Sequence, residues 1–193
     1  MRFIKWAGVV FAMAVLAGCA HPYTVRPDLA KIQRDPSAER IDANVAYYMS
    51  SEDLDKQVTT SASGGDRVRY QPYKDIEAGF YKMLTNVFTK VSKARTPTPS
   101  PAENNAYVIQ TSISTESSGS SMLWWPPSNM SMSLTCTIMD TTGRQVAQIR
   151  VTGEGKATSD EFLGHLTLTG ERASEDALIK MQKALLAAPE LRH

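Results

Sequence analysis

An α+β domain, in which two helices pack on one face of a mainly antiparallel sheet, is the fold class that this sequence predicts. Two segments carry apolar residues at the three- and four-residue spacing of an amphipathic helix. Between them, residues 106–155 alternate apolar and polar residues as half-buried strands do. Because helices and strands occur in runs and do not strictly alternate, we expect the helices on one face of an antiparallel sheet.

The first half of the domain is predicted to contain two short strands followed by a helix. The strands span Asn44–Ser50 and Arg67–Tyr70, with a polar loop at residues 57–65 between them. The helix runs from about Asp75 to Val91. Gly79 in its interior costs about 1 kcal/mol relative to alanine, and we expect it to allow close approach of a strand.

The second half is predicted to form a three-strand meander followed by a second helix. The strands span about Ala106–Thr115, Met130–Met139 and Arg144–Gly155, and a turn at residues 140–143 joins the last two. The middle strand alternates strictly, which is the clearest strand pattern in the chain. The helix covers about residues 173–187, with acidic residues in its first turn.

The N-terminus carries the pattern of a secretory leader. Arg2 and Lys5 begin it, and the apolar run that follows is shorter than the roughly 20 residues of a membrane-spanning helix. The stretch Leu16-Ala17-Gly18-Cys19 then resembles the lipobox of bacterial lipoproteins, whose cysteine receives acyl chains such as palmitate and becomes the new N-terminus. Residues 1–18 are therefore predicted to be a lipoprotein signal peptide and Cys19 the lipidation site. The alternative is a buried helix with an incidental cysteine.

A lipidated flexible tether is predicted for residues 19–39, because Pro22, Pro27 and Pro36 lie there among polar residues. Residues 40–193 then form a single periplasmic α+β domain. In the lipoprotein class, an aspartate after the cysteine favours retention in the inner membrane, and here that residue is Ala20. The resemblance therefore implies an outer-membrane protein that is lipid-anchored and faces the periplasm.

Composition limits the partners and the disulfides. The formal charge of +1 falls to −1 when Arg2 and Lys5 leave with the signal peptide, which argues against nucleic acid as a partner. Cys19 and Cys136 are the two cysteines of the chain. If Cys19 is acylated, an internal disulfide is excluded. Cys136 is then either a buried core residue or part of an intermolecular disulfide.

The sequence shows no converging set of catalytic or metal-binding residues. The histidines, His21, His165 and His193, lack the spacing of a zinc site. His165 has the chemistry of a general base, but packing within a loop is the ordinary interpretation. We therefore predict a protein that is not an enzyme and that uses no metal and no cofactor.

One apolar segment lies apart from the predicted core. Met122, Leu123, Trp124 and Trp125 lie between a Gly/Ser-rich loop and the middle strand of the meander, and two prolines follow them. If exposed, such residues would form a contact with a partner or a membrane. Alternatively, the loop folds back and caps one end of the core. We take these four residues as the candidate contact site.

From the first strand to the last helix, the order of elements resembles that of the YajG family of small outer-membrane lipoproteins. The most specific stretch is residues 68–76, a strand that enters the first helix through Pro72 and Asp75. The meander and the second helix follow the same pattern. The resemblance implies an envelope protein and supplies no catalytic residues.

These observations lead to three hypotheses of function. The first is a non-enzymatic adaptor or assembly factor in envelope biogenesis, held to the membrane through Cys19 and bound to an envelope protein partner. The second is an oligomeric lipoprotein subunit of an export or secretion machine, with a homo-oligomer formed through a strand edge or the tryptophan loop. The third is a cell-wall or glycan hydrolase, which would need His165 beside a carboxylate and a cleft.

Overall fold

A five-stranded sheet, a three-stranded sheet and four α-helices make up the computed structural model, which describes residues 20–99, 104–119 and 125–192. The strands are β1 (Ala20–Pro22), β2 (Ile41–Tyr48), β3 (Val58–Ser61), β4 (Arg67–Tyr70), β5 (Phe88–Lys93), β6 (Tyr107–Ser118), β7 (Asn129–Asp140) and β8 (Gln145–Lys156). The helices are α1 (Ser51–Asp55), α2 (Pro72–Val87), α3 (Ser159–Phe162) and α4 (Leu168–Leu186). The predicted α+β class is confirmed.

The large sheet has the strand order β5-β2-β6-β7-β8 and contains both kinds of pairing. The predicted meander is present, because β6, β7 and β8 pair antiparallel over most of their length. At the other side of the sheet, β2 pairs in parallel with β5 and with β6. The sheet is therefore mixed, with its antiparallel part in the meander.

The first long helix ends earlier than its apolar spacing predicts. α2 ends at Val87, and Phe88 already has an extended backbone, with φ −111° and ψ 155°. The following residues form β5, which includes Val91. Because Phe88 is buried and Val91 partly buried, the same apolar residues fit the end of a helix and the start of a strand.

The inward face of β7 lies at the centre of the core. Its buried side chains are those of Met130, Met132, Leu134, Cys136 and Ile138. α4 packs across β8 and β7 on this side, and α2 packs beside α4. The helices thus cover one face of the large sheet, as predicted.

Gly79 of α2 does allow a close approach, but its neighbour is not a strand. A Cβ atom at this position would lie 2.6 Å from Cγ of Pro27 and 2.9 Å from Cδ1 of Leu178. The element that comes close is therefore α4, together with the N-terminal segment. The sequence-based expectation of a strand at this position is wrong.

The expected flexible tether at residues 19–39 is also wrong for its described part, which begins at Ala20. β1 pairs in parallel with β4, and the side chains of Val25 and Ile32 are fully buried. Two side chains from α2 fix the segment: Val25 N donates to Oδ2 of Asp75 at 3.0 Å, and Asn86 Nδ2 donates to Ile32 O at 3.2 Å. The prolines extend the backbone, but the apolar residues between them pack into the core.

Cys136 occupies the buried position that the alternation of β7 predicts. It lies opposite Thr111 and Ile149 in the sheet, is fully buried and is a free thiol. Burial raises the pKa of the Cys136 thiol to about 12, because the interior disfavours the charged thiolate. The structure thus favours the core role over the intermolecular disulfide.

We expect Cys136 of the native protein to be unreactive toward a water-soluble disulfide reagent at neutral pH. The reagent must reach the sulfur and needs it as a thiolate. Burial blocks the approach and raises the pKa of the thiol, so neither condition is met. Absorbance of the released thiol should therefore rise only when urea unfolds the chain. Thr141→Cys, in the exposed turn before β8, is the matched control and should react at once. Fast reaction of Cys136 without urea would contradict the burial.

Candidate functional site

The predicted lipidation site adjoins the small sheet. Cys19 lies outside the described residues, and Ala20, the next residue, is the first of β1. Ala20 pairs with Arg67 of β4, and the amide of Tyr23 donates to the carbonyl of Arg69 at 2.9 Å. The residue that follows Cys19 is therefore already part of the small sheet.

The small sheet has the strand order β1-β4-β3 and two different faces. On its inner face, Val68 and Tyr70 of β4 are buried. Tyr70 Oη donates to Oγ1 of Thr115 at 2.6 Å and so attaches the small sheet to β6. Burial raises the pKa of the Tyr70 hydroxyl, which therefore stays protonated. On the outer face, Arg67 and Arg69 are exposed.

Trp125 closes the end of the small sheet at which β1 begins. Its ring stacks on that of His21, with centroids 4.6 Å apart and an interplanar angle of 18°. Its edge contact with Tyr23 has a centroid distance of 6.3 Å. The amide of Ser63 donates to the carbonyl of Trp125 at 3.2 Å, and Ser63 Oγ donates to that of Pro126 at 2.8 Å. Trp125 is thus half-buried and fits the capping interpretation.

The other members of the candidate contact site, Met122, Leu123 and Trp124, lie outside the described residues, and their contact role stays a prediction. The described residues on either side of them meet at one point. Gly119 lies so close to Ser63 that a Cβ atom on it would be 2.5 Å from the Ser63 Cα. The same serine donates hydrogen bonds to the carbonyls of Trp125 and Pro126.

Sequence reasoning missed Ser63 and His21. Residues 57–65 were expected to form a polar loop, whereas residues 58–61 form β3 and Ser63 is fully buried. His21 was assigned to the tether, where nothing in the sequence links it to Trp125. Such contacts join distant parts of the chain, so no local pattern could have shown them.

His165 does lie beside a carboxylate, as the hydrolase hypothesis requires. Its Nε2 is 2.9 Å from Oε2 of Glu171, and its side chain is 48% exposed. It lines none of the four cavities described for this part of the chain. The largest of these, about 490 Å³, is lined by Ser50, Ser51 and Lys93 among others and has no histidine or carboxylate in its wall.

The neighbouring carboxylate of Glu175 serves the fold. It is buried and accepts hydrogen bonds from the amide of Asp28 at 3.0 Å and from Nζ of Lys31 at 3.1 Å. Both donors belong to the N-terminal segment, so Glu175 fastens that segment to α4. Its two charge-assisted bonds satisfy a group that would otherwise be costly to bury.

Within the described ranges, no group of three or more His, Cys, Asp or Glu side chains is placed to hold a metal ion. In the same ranges, no helix has both the length and the apolar character needed to cross a bilayer.

The fold and the site together define an α+β domain whose N-terminal strand is built into a small second sheet. Among solved structures, it is similar to a Xanthomonas campestris protein of the family DUF330, at 15% identity, with 87% of this chain and 92% of that chain covered and a TM-score of 0.51. The PelC dodecamer from Paraburkholderia phytofirmans is a weaker neighbour, at 14% identity, 81% and 95% coverage and a TM-score of 0.47. At 15% identity the first likeness shows a shared fold and nothing about function. Nothing is inferred from the second, because its TM-score is below 0.5.

No protein-family model matches the chain, and no curated protein matches it. The resemblance to the YajG family is therefore not confirmed.

Proposed function

We propose that the protein is a non-enzymatic lipoprotein, anchored through Cys19 on the periplasmic face of the outer membrane, where it acts as an adaptor or assembly factor. The observation that carries the proposal is the lipobox-like stretch that ends one residue before β1. Several acyl chains on one residue make attachment long-lived, since each buried methylene contributes about 0.8 kcal/mol. Anchoring then determines where the folded domain works.

The polar groups of the described residues support a binding role over a catalytic one. The side chain of His165 is 48% exposed and that of Glu171 15%, and neither lines any of the four described cavities. Glu175 is occupied with the N-terminal segment. Neither arrangement presents a nucleophile together with its base. A surface that binds an envelope protein partner needs no such set.

An oligomeric subunit of an export machine is the second candidate, and the edge of the large sheet favours it. β8 is an outermost strand of twelve residues in the order of this sheet. A long outermost strand presents backbone groups to a second chain. In the last part of β8, side chains of α4 already bond the backbone of Thr152, Glu154 and Lys156, so a second chain would pair with residues 145–150. Self-association through β8 would satisfy these groups.

Replacement of Cys19 by serine is expected to abolish acylation and to move the protein from the membrane fraction to the soluble fraction. Serine lacks the thiol group to which the lipid is attached. Metabolic labelling with a palmitate analogue and fractionation of cells measure the two effects. Cys136→Ala is the matched control, because it removes the other, buried thiol and should keep both label and membrane association. A Cys19→Ser protein that is processed and still membrane-bound would refute the anchor.

A further inference from the structure

The short link between Cys19 and β1 determines which part of the fold lies next to the membrane. This inference rests on the proposed function, in which Cys19 is acylated. One peptide bond joins Cys19 to Ala20, so their Cα atoms are about 3.8 Å apart. Ala20 is already paired with Arg67 in the small sheet. The end of that sheet must therefore lie within a few ångströms of the lipid headgroups.

Several parts of the fold meet at this end. β4 runs parallel to β1 and begins here with Arg67, and β3 runs antiparallel to β4 and ends here with Ser61. The turn at residues 62–66 joins β3 to β4. Trp125 is attached to this turn through Ser63. The end of the fold next to Cys19 is therefore formed by three strands, the turn at residues 62–66 and Trp125.

The outer face of the small sheet carries positive charge at this end. Arg67 and Arg69 are exposed, and within the described residues neither takes part in an ion pair or a side-chain hydrogen bond. Asp66, which precedes Arg67, is 3.4 Å from Nε2 of His21. Asp75 lines a cavity together with Arg69, and its Oδ2 accepts a hydrogen bond from Val25 N. Glu116 lies on the other side of the large sheet, because its neighbour Ser117 points inward and bonds Thr60 at 2.7 Å.

We propose that the outer face of the β1-β4-β3 sheet is a lipid-binding surface, which lies on anionic phospholipid headgroups with Arg67 and Arg69 contacting phosphate groups. The guanidinium group suits phosphate because its donors form a planar fork. Each basic residue close to an anionic membrane adds to attachment, and the acyl chains hold both arginines there. The turn between β7 and β8 lies at the other end of the meander from Ser61 and Ser117, and in the proposed orientation it faces partners in the periplasm.

The distance along the meander makes this orientation measurable. Ser61 lies at the proposed membrane end, where its carbonyl accepts a hydrogen bond from Ser117. Thr141 lies beyond the other end of β7, a strand of twelve residues that spans roughly 40 Å. Both positions are exposed, and Cys136 is buried. A fluorophore can therefore be attached selectively to Ser61→Cys or to Thr141→Cys in the full-length acylated protein.

The experiment reconstitutes each labelled protein into phosphatidylcholine vesicles, with or without phosphatidylglycerol, that contain a lipid with a headgroup-attached quencher. We expect strong quenching at position 61 and little at position 141. A variant with a flexible glycine–serine spacer of about ten residues between Cys19 and Ala20 keeps the anchor but no longer holds the small sheet against the membrane. In this variant, quenching at position 61 reports binding of the sheet to lipid and not the anchor alone. With the spacer, quenching at position 61 should persist on vesicles with phosphatidylglycerol and be lost on vesicles without it.

The arginines are tested in the protein with the spacer. Arg67→Gln with Arg69→Gln should lower the ratio of docked to undocked protein roughly 30-fold, the effect of two basic residues near an anionic surface. Lys90→Gln with Arg150→Gln removes the same charge from exposed positions of the large sheet and should leave the ratio unchanged.

Three results would each overturn a different claim. Equal quenching at positions 61 and 141 in vesicle-bound protein would overturn the proposed orientation while leaving the anchor intact. Unchanged docking of the double glutamine variant at positions 67 and 69 would overturn the role of the arginines. Failure of the wild-type protein to sediment with vesicles would instead overturn the lipid anchor, and with it the proposed function.

Discussion

Replacement of Gly155 by alanine is expected to lower the free energy of unfolding by about 3 kcal/mol, at the upper end of the usual range for overpacking. A Cβ atom on Gly155 would overlap the carbonyl oxygen of Thr169 and lie 2.6 Å from the amide nitrogen of Ala173. Both atoms belong to the backbone of α4, so no side-chain rotation relieves the overlap. The whole helix would have to move away from β8.

Gly153 should behave in the same way, because it lies on the same face of β8. A Cβ atom there would overlap Ala173 O and lie 2.7 Å from the Cα of Ala177. Alternate residues of a strand share a face, so the two glycines together form the flat surface on which α4 rests. The glycines of this strand thus serve helix packing.

Urea unfolding followed by circular dichroism measures the effect of Gly155→Ala. Gly164→Ala is the matched control, because a Cβ atom on Gly164 meets nothing within 4 Å. Its midpoint should equal that of the wild type or exceed it slightly, since alanine reduces the entropy of the unfolded chain. Equal midpoints for the two variants would show that α4 does not rest on the β8 glycines.

The sequence predicted best those elements whose burial follows a local period. β7 has one buried face along its whole length, so its alternation of apolar and polar residues reveals both the strand and the inward direction of Cys136. α4 is likewise found by its apolar face, although it begins at Leu168, earlier than expected. In these elements one periodic signal decides the structure.

Prediction was poorer where two structures fit the same residues. Phe88 and Val91 continue the helical spacing of α2, but their side chains are also those of a partly buried strand. The choice depends on pairing with β2, which is distant in the sequence. Tertiary pairing overrides local periodicity there, and the parallel edge of the sheet could not be seen in advance.

In the candidate site too, some residues can be recognised from a local stretch of sequence, and others only from the folded structure. Cys19 is recognised from a contiguous stretch, and Trp125 from its place in an apolar segment between a loop and a strand. The stacking of His21 on Trp125 and the bonds of Ser63 depend on the folded chain. Prolines in the N-terminal segment suggested a tether because they break helices and strands, yet extended backbone can still bury its apolar residues.

Ile32→Ala is expected to lower the free energy of unfolding by about 3 kcal/mol, which would show that the supposed tether belongs to the core. The Ile32 side chain is fully buried, and its Cδ1 lies 3.1 Å from the Cβ position of Gly79 in α2. Its loss leaves a cavity that the rigid helices cannot fill. Leu29→Ala is the matched control, since Leu29 lies in the same segment but is 45% exposed, and it should change stability by less than about 0.5 kcal/mol. Equal, small effects in urea unfolding would instead support a flexible tether, and the anchor would then lie apart from the fold.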